Sequence, residues 1–129
     1  MMTKLLTDLQ GVVQNEYTRA GKQHGYIFNG LHEAYAVTLE EVDEASAEMQ
    51  GIYNRMTALW ESVKRDNGQL ARQAALDILN KAMLMAAEAV QIAAMAQKTV
   101  NTVDAMVIQN EPEKPVQRLR RSERRRLRI

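Results

Sequence analysis

LHEAYAVTLEEVDEASAE, residues 31–48, is the stretch on which the fold turns. It holds no glycine or proline, and its spacing is that of one helix. Glu41, Glu44 and Glu48 stand at i, i+3 and i+7, so they share a stripe. Toward the N-terminus the same stripe turns apolar at Val37 and Ala34, with Tyr35, Val42 and Ala45 flanking it. A solvated acidic face would stay polar along its length. Like charges three or four apart also destabilise an isolated helix. The pattern therefore predicts that something positive sits against these carboxylates.

Working outward, the N-terminal side carries Leu5, Leu6, Leu9, Val12 and Val13, an amphipathic spacing that predicts a helix over 3–19 with Thr3 as its cap. Glycines at 21, 25 and 30 predict a loop over 20–30. On the C-terminal side Gly51 either ends the central helix or only weakens it. Ile52, Met56, Leu59, Trp60 and Val63 carry a second or bent helix to Arg65. Asp66-Asn67-Gly68 is a turn signal. No glycine or proline then interrupts residues 69–109, and AMLMAAEAVQIAAMA at 82–96 is apolar nearly all round. Such a helix is buried on every side. One chain of three or four helices supplies too few neighbours, so the sequence predicts an all-α fold, an antiparallel helical bundle completed by homo-oligomerisation as a dimer or tetramer.

Composition sets the outer limits. The 129 residues suit one domain with one modest core. With no cysteine, neither a disulfide nor a thiolate zinc site is available, and His24 and His32 alone close no structural zinc site. The formal charge of +1 hides an uneven split: 10 Lys+Arg against 15 Asp+Glu up to Pro115, then 7 Arg against 1 Glu from Val116. The chain thus divides into a helical domain over 1–110 and a linker with a basic, disordered tail over 111–129. No signal peptide is visible, and the apolar run at 82–96 is short for a bilayer and contains Glu88. The expectation is a cytoplasmic protein with no membrane role.

Glu88 is the second informative residue. A lone carboxylate in an apolar helix is costly unless it is paired or bound to a metal. One reading is a salt bridge to Arg55 or Lys81 across a helix interface. The other brings Glu88 and Gln91, at i+3, against Glu41 and Glu44 of the central helix. Three carboxylates and an amide oxygen then converge. Oxygen-only ligands of this charge suit Mg2+, with Mn2+ as the second choice, rather than zinc. Paired i, i+3 ligands on facing helices are a known way of building such a site. The chemistry suggested is metal-assisted hydrolysis of a phosphoanhydride.

These residues carry a resemblance. LEEVDEA, with Glu41-x-x-Glu44, followed by AAEAVQIAAMAQ, with Glu88-x-x-Gln91, resembles the MazG-like branch of the all-α nucleoside triphosphate pyrophosphohydrolases. HGYIFNGLHEAYAV and LWESVKRDN look like the small, often phage-borne members, and the resemblance covers about residues 20–100. It implies an all-α fold assembled as dimers or tetramers. It also implies Mg2+-dependent cleavage of a nucleoside triphosphate to the monophosphate and pyrophosphate. Carried over by position, Glu41, Glu44 and Glu88 are catalytic metal ligands. Gln91 stands where the family has aspartate, and is read as a ligand to metal, to its water or to phosphate. The segment between the two motifs is longer than is usual in the family.

Lys98, ten residues after Glu88, is read as a phosphate clamp and His24 as a phosphate contact; a solvated lysine and a surface histidine are the plainer alternatives. A second reading from another class is a non-catalytic oligomeric interaction module whose arginine tail makes weak nucleic-acid contacts.

Overall fold

The computed structural model describes residues 2–110 and is all-helical there: α1 Met2–His24, α2 Leu31–Lys64 and α3 Gly68–Asn110. The linker and basic tail assigned to 111–129, with the nucleic-acid contact proposed for them, lie outside the described residues.

α1 runs further than its glycines suggest, and the loop expected over 20–30 shrinks to residues 25–30. Gly21 does not break the helix. It is buried because the Tyr26 ring lies directly on it, and a Cβ there would occupy the space of that ring. The break comes at Gly25, whose φ of 88° is the left-handed conformation that glycine adopts freely, and whose N–H closes on the Gly21 carbonyl at 2.8 Å.

α2 passes straight through Gly51. There glycine makes room for a neighbour, since a Cβ would meet the Lys81 side chain of α3 at 3.0 Å. The turn after α2 follows from three residues. Asp66 takes φ 50°, its N–H reaches the Val63 carbonyl at 3.0 Å, and the Asn67 N–H reaches Ser62 at 3.0 Å. This is a Schellman closure with aspartate in the left-handed position. Asn67 then caps α3 by accepting the Leu70 N–H on its Oδ1 at 3.1 Å.

α2 and α3 pack along their length, and α1 packs on α3 alone. At 1.5 Å per residue α2 is about 51 Å long and α3 about 64 Å. The interface is thin. Its central cluster is Phe28, Ala34, Ala94 and Met95, with Tyr17 and Val37 against it. Small residues let the helices approach closely, and Ala34 and Ala94 are 1% and 0% exposed. The connection into α2 is pinned to α3 by the Phe28 N–H, which donates to Thr102 Oγ1 at 2.8 Å.

Most large apolar side chains face away from this cluster. Tyr35, Trp60 and Met83 are all more than half exposed. α3 is long and apolar enough, by length and composition, to cross a membrane, although little of that span is buried within one chain. The fully apolar surround expected for residues 82–96 is thus absent from a single chain.

Candidate functional site

The inner face of α2 reads Ala34, Thr38, Glu41, Ala45, Glu48, in steps of four and three, and every one of these residues is buried or half-buried. It meets α3 where Glu88 projects from the apolar run. One oxygen each of Glu41, Glu44 and Glu88 lies within 4.8 Å of the others. The apolar beginning of the stripe, at Ala34 and Val37, packs into the central cluster, which fixes the rotation of α2 and turns its carboxylates toward α3.

No side chain of the described helices supplies the expected positive charge. Among the described residues no lysine, arginine or histidine forms an ion pair with Glu41, Glu44 or Glu88. The two cations of the salt-bridge reading are placed elsewhere: Arg55 Nη1 lies 3.4 Å from Asp77, and the Lys81 chain runs past Gly51. Glu88 Oε2 is buried with no hydrogen-bond partner among the described residues. Such an acceptor costs roughly 1–3 kcal/mol unless something occupies it.

The electrostatics follow. Glu41 is pushed up to about 7, chiefly by burial, then by a contact with Glu88 that a shared proton would satisfy, then by the charges of Glu44, Glu88 and Glu40. Glu44, at the open edge, is also raised, mainly by the charge of Glu88. Three acids held this close cannot all ionise cheaply without a cation. The donor set fits a hard divalent ion: all oxygen, anionic, with one edge open to solvent and one buried lone pair unspent.

Gln91 and Lys98 have partners of their own. Gln91 Nε2 donates to Glu16 Oε1 of α1 at 2.7 Å, which leaves its carbonyl oxygen as the atom for any ligand role. Glu16 is in turn gripped by Arg19, whose Nε donates to Oε2 at 2.9 Å. The Arg19 hydrogen bond, then that of Gln91, hold Glu16 down at about 2. Lys98 is buried, its ammonium 4.4 Å from the centroid of the Phe28 ring, a cation–π contact, with no acid paired to it. His24 is the exposed last residue of α1.

Sequence reasoning did not foresee Glu16 and Tyr17, which tie α1 to this end of α3. Tyr17 Oη donates to the Tyr26 carbonyl at 3.1 Å and accepts from Asn101 Nδ2. Their signal was weak: an exposed-looking Glu16-x-x-Arg19 pair in a polar stretch. One turn before Glu41 an apolar groove of about 330 Å³ opens between the helices, lined by Leu31, Ala34, Tyr35, Thr38, Ala96 and Thr99.

No protein-family model, curated protein or solved structure matches this chain.

Proposed function

We propose that the chain is a Mg2+-dependent nucleoside triphosphate pyrophosphohydrolase of the MazG-like kind. The observation that carries this reading is the meeting of Glu41, Glu44 and Glu88 with no side-chain cation beside them, and Glu88 Oε2 unpartnered, among the described residues. Glu41, Glu44 and Glu88 would hold the ion. When bound, the ion supplies charge neutralisation on the phosphates and a water acidic enough to act as nucleophile near neutral pH. The residues do the rest. Glu41, whose carboxyl is pushed up to about 7 by burial and its acidic neighbours, would give up its proton as the ion binds. Glu44, at the open edge, faces incoming substrate. The groove beside Tyr35 and Thr38 is the room available for the nucleoside. Gln91 steadies this end through Glu16, and Lys98 leaves Phe28 if it is to reach phosphate.

The same proposal includes assembly and compartment. α2 and α3 are read as an antiparallel pair within a bundle that a second copy completes, in the cytoplasm, so that α3 is covered by protein rather than by lipid. Asp77, Lys81 and Glu88, spread along α3, suit an inner bundle helix better than a membrane span.

The test is incubation of the full chain with a panel of nucleoside and deoxynucleoside triphosphates and Mg2+, with detection of pyrophosphate and monophosphate. Release that requires Mg2+ and vanishes in Glu44→Gln supports the enzyme. Absence of pyrophosphate across the panel, with Mg2+ bound and helices intact, leaves the interaction-module reading.

A further inference from the structure

α2 carries two heptad seams, and only one is used. Steps of four and three from Ala34 to Ser62 give the inner seam, every member buried or half-buried against α3. The same steps from Tyr35 to Val63 give a second seam, one residue out of phase, and every member of it is exposed. It passes through Met49, Tyr53, Met56 and Trp60, and Ser46 is its one polar position. Eight of nine positions are apolar, and an unbroken four–three repeat of that length is the pattern of helix-to-helix pairing.

We propose that this outer seam is closed by the same seam of a second copy, with the two α2 helices running in opposite directions. Two observations choose the occupant. The seam runs from residue 35 to residue 63, about 42 Å of helix, and needs a straight helical partner of equal length. α2 itself is one. Charge then chooses the direction. Residues 31–47 hold five acids and no lysine or arginine, whereas residues 48–65 hold two acids and three bases. Parallel pairing would lay five acids beside five acids. Opposed pairing lays the acidic half of one copy on the slightly basic half of the other, and also opposes the helix dipoles. A two-fold axis near the middle of α2 makes the contact isologous.

This rests on the oligomer reading above and is tested apart from catalysis. The chain has no cysteine, so single cysteines report cleanly. Leu39→Cys and Trp60→Cys face each other in the opposed pairing but lie about 32 Å apart along one α2. Both parent side chains are exposed, so the variants leave the core intact. The two full-length chains, differently tagged, are co-expressed and treated with a short bis-maleimide. The expected result is an efficient Leu39–Trp60 cross-link between chains, with several-fold less cross-linking of either variant to itself. Met49→Glu should convert the protein to a monomer by light scattering while helical circular dichroism persists. Self-cross-linking of each variant in preference to the mixture would overturn the direction. No cross-link in an assembled protein would overturn the seam while leaving oligomerisation, and pyrophosphate release is scored independently of all three.

Discussion

The two ends of the α2–α3 interface solve the same problem in opposite ways. Nearer the turn, polar groups that face the partner helix are matched: Arg55 meets Asp77, and Ser62 bonds back to the Ala58 carbonyl at 2.9 Å. Four turns before Arg55 along α2, Glu41 of the same seam and Glu44 at its open edge meet Glu88, acid against acid. A helix pair that can place arginine opposite aspartate at one end could do so at the other. The mismatch is local, and it holds the one buried carboxylate oxygen of the described residues without a partner. On the proposed reading, charge that serves the packing is neutralised between the described helices, and the acids left over are held for a divalent ion.

This contrast can be broken experimentally, and the largest effect belongs to the acidic end. Glu41→Gln and Glu44→Gln should each lower Mg2+-dependent pyrophosphate release by at least about 10²-fold, because each removes a ligand charge rather than a packing contact. Steady-state assays at saturating Mg2+ check this. A loss of less than threefold in both would detach the cluster from catalysis.

The next effect is on stability against pH, without divalent metal. Glu41 ionises at about 7 in the folded chain against an ordinary 4.5, so between those values the folded state holds the extra proton. Its contribution to stability therefore falls as pH rises from 4.5 to 7. Glu16 has the opposite sign: its carboxyl is held at about 2, so its contribution is present above 4.5 and is lost as pH falls toward 2. Melting temperatures in EDTA should accordingly peak on the acid side of neutrality. Glu41→Gln should flatten the neutral limb and Glu16→Gln the acid limb.

At the turn end the effects are smaller. Gly51→Ala removes the entropic penalty of glycine inside a helix, and the only atoms in its way are the flexible Lys81 chain. Thermal denaturation should show a gain of roughly 0.5–1 kcal/mol. Arg55→Ala should cost about 1 kcal/mol or less, since the Arg55–Asp77 pair is half-exposed and its contact is a long 3.4 Å.

The stripe argument explains why much of this was legible in the sequence. The phase of Ala34, Val37, Glu41 and Glu44 set the rotation of α2, and the carboxyl in the apolar run marked Glu88 as its counterpart. The cation expected opposite them was not legible, because its absence is a property of the pairing between helices and not of either helix. Gly21 misled, and Gly51 was left undecided, for a related reason. Within a helix, a glycine that admits Tyr26 or Lys81 looks the same in sequence as one that ends the helix; only the neighbour separates them. Residues Glu16 and Tyr17 act through Gln91 and Asn101, more than 70 positions away, a distance over which one sequence carries no signal.

The central claim is that Glu41, Glu44 and Glu88 are left unneutralised in order to hold a divalent ion, and Glu88→Gln tests it most directly. The substitution keeps the shape, removes the charge and gives Glu41 an amide to bond. The metal-free mutant should therefore be more stable than the parent, by roughly 1–3 kcal/mol. Measured at pH 7.5 with and without millimolar Mg2+, the parent's melting temperature should rise on adding the ion, and the mutant's should not. Identical responses of the two proteins to Mg2+, with the mutant alone destabilised, would show that Glu88 serves the packing and that the cluster holds no metal.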